Sequence, residues 1–222
     1  ATNASIGVHT AFQDSTPMIL FIGQVGGDMV DREAFQEIDY RRMFGQMTKW
    51  VTQIDRAERI PEYVARAFQI ACSGRPGPVV LALPEDMLIE SVDVTDAQKV
   101  VCAKNRPTAK SIKEVQVLFE QSKKPLVILG GSGWSERACE LVKTFAENNQ
   151  LPVGCSFRRQ DLFDNHHSNY VGDIGIGINP RLADMVKESD LLLVLGARLG
   201  EMTTSGYTLV EAPTPKQRLI HI

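Results

Sequence analysis

Short apolar runs alternate with amphipathic stretches along most of the chain. The opening residues place Ile6, Val8, Ala11 and Phe12 at helical spacing. Pro17 then precedes an apolar run, 18–23, that reads as a buried strand, and residues 49–54 give a second, more mixed strand. Residues 60–72 carry Val64, Ala67, Phe68 and Ala71 on one helical face. Ser73-Gly74-Arg75-Pro76-Gly77 stops that helix, because Gly and Pro supply the end and the turn. A third strand, 78–83, is closed by Pro84.

From Glu90 to Thr108 the chain is polar and without period, punctuated by Pro107, which reads as a linker between domains. Beyond it the pattern predicts a helix over 111–121, a strand over 125–129, a helix over 136–148 and a strand over 151–157. Asn179-Pro180 opens a further helix, with Asn as cap and Pro in the first turn, and it runs to Ser189. Strands at 191–195 and 219–222 complete the set. Alternating strands and helices imply an α/β fold of parallel sheets covered on both faces, here as two domains, 1–90 and 108–222, joined by a linker over 91–107. The chain starts without Met and both ends cut into patterned segments, so it reads as part of a longer protein.

Composition narrows the class. Of 222 residues, 43% are apolar and 23% charged, which argues for a globular chain rather than a disordered one. Lys and Arg number 24 against 27 Asp and Glu, a net charge of −3, so no global field draws nucleic acid or an anionic membrane surface. No apolar run approaches the ~20 residues of a membrane span, and no basic leader with an apolar core opens the chain. Cys72, Cys102, Cys139 and Cys155 show no C-x-x-C spacing and read as reduced core thiols of a cytoplasmic protein.

Two glycine-rich turns invite a ligand. Leu129-Gly-Gly-Ser-Gly-Trp134 joins a strand to a helix, where helix N–H groups can face a phosphate, although Glu136 stands where the third Gly of a dinucleotide fingerprint belongs. Gly172-Asp-Ile-Gly-Ile-Gly177 either cradles a ligand or carries the chain over the sheet. His166-His167 reads as a solvated loop, since adjacent residues rarely face one ion and no further ligand cluster stands at metal spacing. His9 reads as a satisfied, partly buried imidazole, and Asp28, Asp31 and Glu33 as a solvated acidic loop. No nucleophile elbow, phosphate-binding lysine loop or zinc signature is present in the sequence.

Read in order, Ala1-Thr-Asn3, Asp14-Ser-Thr-Pro-Met-Ile-Leu-Phe-Ile-Gly-Gln24, Ala34-Phe-Gln-Glu37, Thr48-Lys49 and Ser73-Gly-Arg-Pro-Gly-Pro-Val79 resemble the later part of the pyrimidine-binding domain of thiamine-diphosphate-dependent acetolactate synthases. Lys124-Pro125, Leu129-Gly-Gly-Ser-Gly133, Asp190-Leu-Leu-Leu-Val-Leu-Gly-Ala-Arg-Leu199 and Ile220-His221-Ile222 resemble the Rossmann-like central domain of the same enzymes. The resemblance covers essentially the whole chain. It implies a parent enzyme that decarboxylates a 2-keto acid and ligates the product to a second carbonyl, using thiamine diphosphate and Mg²⁺ as a homodimer or homotetramer. The family's catalytic glutamate falls upstream and its Mg²⁺ segment downstream, so the resemblance places no catalytic or metal residue in this chain and implies that this stretch alone is inactive. It places Gln24, Phe35, Gln36 and Lys49 at the substrate pocket and Asn3 near the cofactor's pyrimidine end.

Two departures from the family pattern bear on substrate and flavin. Gly26-Gly27-Asp28 stands where acetolactate synthases carry a Pro-Arg-Arg type stretch, which reverses charge beside the substrate channel. Gly172-Asp-Ile-Gly-Ile-Gly177 and Gly200-Glu-Met-Thr-Thr-Ser-Gly206 replace the family's flavin turn and its acidic-then-Arg stretch, while Gly131, Gly133, Gly175 and Arg198 remain where a dinucleotide such as FAD could meet the domain. Relatives on the same scaffold include glyoxylate carboligase, sulfoacetaldehyde acetyltransferase and oxalyl-CoA decarboxylase. A thiamine-dependent decarboxylase or lyase without carboligation, a non-catalytic nucleotide-binding module and a structural fragment without ligand stay as alternatives.

Overall fold

The computed structural model describes residues 1–103 and 106–222; Lys104 and Asn105, inside the expected linker, lie outside the described residues. The chain divides into two compact units, Ala1–Asn105 and Arg106–Ile222.

The first unit runs α1 (Ser5–Gln13), β1 (Met18–Gln24), α2 (Tyr40–Phe44), β2 (Trp50–Gln53), α3 (Ile60–Cys72), β3 (Pro78–Pro84) and α4 (Glu85–Leu88). Its three strands are all parallel, in the order β1-β3-β2. Alternation along the central strand decides the two faces: Val79 and Leu81 pack with Ala67 and Ala71 of α3, Val80 and Ala82 with Val8 of α1 and Tyr40 and Phe44 of α2. A strand covered on both sides needs apolar residues at every position, which is why β3 reads as an unbroken run. The Arg75 guanidinium donates to Ser15 Oγ at 2.8 Å and to the Phe12 and Gln13 carbonyls at 2.6 and 3.1 Å. It ties the C-terminal ends of α1 and α3 together at the edge where the strands begin. The opposite edge, where the strands end, receives the N-terminal end of α1 and the loop that follows β1. Residues 89–103 have no regular secondary structure.

The second unit runs α5 (Ala109–Glu120), β4 (Pro125–Leu129), α6 (Glu136–Asn149), β5 (Val153–Ser156), β6 (Tyr170–Ile174), α7 (Pro180–Glu188), β7 (Leu191–Leu195) and β8 (Arg218–His221). Its parallel sheet has the order β6-β5-β4-β7-β8. Val127, Leu129, Leu191 and Leu193 face α5 and α6, whereas Leu126, Ile128, Leu192 and Val194 face α7 and the turns that carry Leu209 and Val210. The winding reverses between β4 and β7, the doubly wound arrangement whose crevice lies at the carboxyl ends of those two strands. Helix starts follow their caps: Thr108, Ser135 and Asn179 side chains accept from the N–H groups of Ser111, Ala138 and Arg181.

The α/β class and its parallel sheets are as the pattern predicts, and several details are not. Residues 172–174 are strand rather than turn, since β6 continues to Ile174 and leaves only Gly175–Gly177 for the glycine turn. α2 has no counterpart in the sequence pattern. His9, expected as a partly buried imidazole, is exposed, with its Nε2 3.4 Å from Gln13 Nε2. His167 is half-buried: its Nε2 meets Glu147 Oε1 at 2.9 Å, its Nδ1 accepts from Asn169 N–H at 3.1 Å, and its ring packs edge-on to Phe163. Of the His166-His167 pair, His166 is the solvated one, and Asp28, Asp31 and Glu33 are exposed as expected.

Candidate functional site

In the first unit, the loop between β1 and α2 gathers the candidate pocket residues at the carboxyl edge of the sheet. Phe35 is 89% exposed, which removes core packing as the reason for an aromatic there. Gln36 beside it is exposed and holds a left-handed backbone at φ 68°. Gln24, the last residue of β1, is half-buried and bonded at both ends of its amide: its Nε2 donates to Ile38 O at 2.9 Å and its Oε1 accepts from Val25 N–H at 3.0 Å. Its amide therefore braces the returning end of the loop. Glu37, which ends the Ala34-Phe-Gln-Glu37 motif and has no role of its own in the sequence reading, accepts with its carboxylate from Asp31 N–H at 2.7 Å and Ala34 N–H at 3.1 Å. At the root of the loop Asp86 Oδ2, from α4, accepts from Gly27 N–H at 2.9 Å, and Asp28 lies on the same side of Gly26, so two carboxylates flank the Gly26-Gly27 turn. Asn3, exposed in the turn Thr2–Ala4 ahead of α1, belongs to this carboxyl edge.

Lys49 is not brought to that group. It precedes β2 at the edge where strands begin, and its ammonium donates to the Ile70 and Ser73 carbonyls at the C-terminal end of α3. Burial lowers its pKa, against a smaller opposing influence from Cys72.

In the second unit, Gly131, Gly133, Gly175 and Arg198 all come to the carboxyl ends of β4, β6 and β7, but not in one role. A Cβ on Gly131 would stand 2.0 Å from Gly196 O, and one on Gly196 would stand 2.5 Å from Gly130 O. The loops after β4 and β7 thus close directly on each other, with Trp134 Nε1 donating to Gly130 O at 2.7 Å. A Cβ on Gly175 would stand 2.9 Å from Phe157 Cβ. Gly133, at φ 85°, has open space around it, and Arg198 is exposed. Beside them, Gln160 Nε2 donates to Asp173 Oδ1 at 2.7 Å, lowering a carboxyl that burial pushes up more strongly. Burial pushes the Cys155 thiol up to about 12, which leaves it without thiolate character at neutral pH.

The donor set can be set against two groups. For a dinucleotide, Gly131 and Gly175 offer no cradle, because the space a side chain would fill is taken by the neighbouring loop; Gly133 and Arg198 alone face outward. For the pyrimidine end of thiamine diphosphate, a neutral amide at Asn3 and an apolar face at Phe35 are suitable chemistry. Among the described residues no group of three or more His, Cys, Asp or Glu side chains is placed to hold a metal ion, so no Mg²⁺ ligand is assigned here. No helix among the described residues is long and apolar enough to cross a membrane.

Comparison with known proteins bears on both units. Residues 112–222 match the family described as thiamine pyrophosphate enzyme, central domain. The whole chain aligns with the probable acetolactate synthase large subunit of Methanocaldococcus jannaschii at 32% identity and with the acetolactate synthase large subunits of Haemophilus influenzae at 31% and Corynebacterium glutamicum at 30%. The alignments take in 38%, 39% and 36% of those proteins, so the chain spans well under half the length of the curated relatives it matches.

Proposed function

The chain belongs to the thiamine pyrophosphate enzyme family, and from that premise we propose that it serves a reaction of the acetolactate synthase type: decarboxylation of a 2-keto acid followed by ligation to a second carbonyl. The observation that carries this reading is similarity to acetolactate synthase large subunits over 100% of the chain, so that it takes in the loop with Phe35 and Gln36 as well as the central domain. In this reading residues 1–90 are pyrimidine-binding domain, 91–107 linker and 108–222 central domain, and the protein works as a homodimer or homotetramer with Mg²⁺.

Thiamine diphosphate, when bound, would supply a carbon nucleophile for the keto carbon and a sink for the electron pair released with CO₂. Asn3 would hold its pyrimidine end by amide hydrogen bonds. Phe35 walls the reacting carbon from water, which would otherwise protonate it before the second carbonyl arrives. The Gln36 amide N–H donates to the carboxylate or carbonyl oxygen of the keto acid. Lys49 has no part in this scheme, because its ammonium is engaged at the far edge of the sheet. FAD has no part in it either.

The test is pyruvate turnover by the natural full-length protein with thiamine diphosphate and Mg²⁺, following CO₂ and acetolactate together. Both products are expected, and Phe35→Ala is expected to lower the acetolactate-to-CO₂ ratio about tenfold as water gains access. CO₂ without ligated product would move the reading to a decarboxylase, and neither product from any 2-keto acid would overturn it.

A further inference from the structure

Within six positions of the loop between β1 and α2, three residues other than glycine adopt left-handed backbone: Asp31 at φ 63°, Glu33 at 54° and Gln36 at 68°. In that region an L side chain crowds its own backbone, so such residues persist only where their surroundings fix them. Side-chain burial does not fix this loop, since Phe35 is 89% exposed and Asp31, Glu33 and Gln36 are exposed. One side chain spans it instead. Glu37 Oε1 accepts from Asp31 N–H and Oε2 from Ala34 N–H, while Glu37 N–H donates to Ala34 O at 3.0 Å. Each carboxylate oxygen serves a different amide, so the group clasps the stretch that presents Phe35 and Gln36.

We infer that Glu37 is a positioning residue, which touches no substrate and fixes the presentation of Phe35 and Gln36 to it; this rests on the reading above, in which those two residues meet the keto acid. The requirement is two acceptor oxygens on one side chain of this length. Gln has one acceptor and one donor, so it can satisfy only one of the two amides. Asp keeps both acceptors but falls one methylene short.

The experiment uses the natural full-length protein as wild type, Glu37→Gln, Glu37→Asp, Phe35→Ala and the Phe35→Ala/Glu37→Gln double variant. Hydrogen exchange at the Asp31 and Ala34 amides is expected to rise about tenfold in Glu37→Gln while protection of β3 is unchanged. Keto-acid kcat/KM is expected to fall about tenfold in Glu37→Gln, less in Glu37→Asp, and in the double variant by clearly less than the two single losses multiplied, because the share of the Glu37 effect carried by Phe35 is already gone while that carried by Gln36 remains. Unchanged exchange at both amides would overturn the clasp. Faster exchange with unchanged kcat/KM, or losses that multiply in the double variant, would overturn the positioning role. A wild type that turns over no keto acid would instead sink the proposed function, with the exchange measurement still deciding whether the clasp exists.

Discussion

Gly131 and Gly133 lie two residues apart in one loop and look alike in the sequence, but the backbone separates them. Both have positive φ, 70° and 85°, so an Ala at either carries the left-handed penalty of roughly 1–2 kcal/mol. At Gly131 the new methyl also meets Gly196 O at 2.0 Å, a clash with main chain that cannot rotate away. Overpacking of that kind adds roughly 1–3 kcal/mol. Gly131→Ala is therefore expected to lower stability by about 3 kcal/mol and Gly133→Ala by about 1, read from urea midpoints of the two variants at constant m. Equal losses would mean that the loops after β4 and β7 can part and leave room for a ligand at Gly131. Residues of this type are invisible in a sequence, because a Gly needed for room and a Gly needed for a ligand are written the same way.

At the scale of elements, the legible ones are those whose apolar run is bounded by a breaker. β4 and β7 run over 125–129 and 191–195 and α3 over 60–72, with the bounds that Pro125, Asp190 and the Ser73–Gly77 stop imply. β6 is not legible, since Gly172 and Asp173 interrupt its alternation; Gly172 sits at φ 126° against Leu182, and Asp173 is tolerated through Gln160. The Glu37 loop is equally illegible, because its three left-handed positions carry Asp, Glu and Gln where a reader looks for Gly. One junction between elements carries a measurable charge effect. The Asp190 carboxylate, just before β7, accepts from Ser122 Oγ and from the Lys123 and Lys124 N–H groups at 2.7 and 3.0 Å, which fastens the α5–β4 turn to β7. These bonds, that of Ser122 foremost, hold its pKa below the ordinary value. A depressed folded pKa means stabilisation present above the unfolded value of ~3.9 and lost as pH falls through the lower folded one. Asp190→Asn is expected to cost about 1 kcal/mol at pH 7, modest because solvent screens a partly exposed group. The gap to wild type, measured by urea unfolding from pH 7 down to pH 2, should close only below about pH 4.

For the whole molecule, strand order says more than any single motif. The order β6-β5-β4-β7-β8 puts the reversal of winding between β4 and β7, and doubly wound sheets hold ligands outside the carboxyl ends of the strands at that reversal. Here the loops after those strands pack on each other: Gly130 and Gly131 meet Gly196 directly, Ala197 lies against Gly130, and Trp134 bridges back to Gly130 O. A flavin dinucleotide seated against Gly131 would have to part these two loops, which follow β4 and β7, paired at the centre of the sheet. FAD titrated into the full-length protein is therefore expected to bind no tighter than ~100 μM, with flavin fluorescence unquenched. Arg198→Ala should leave that result unchanged, since an exposed guanidinium without a pyrophosphate cradle has nothing to orient. Quenching at low micromolar FAD, lost in Gly133→Val but kept in Gly131→Ala, would show instead that the flavin lies over the open side of the loop at Gly133 and leaves the closed contact intact.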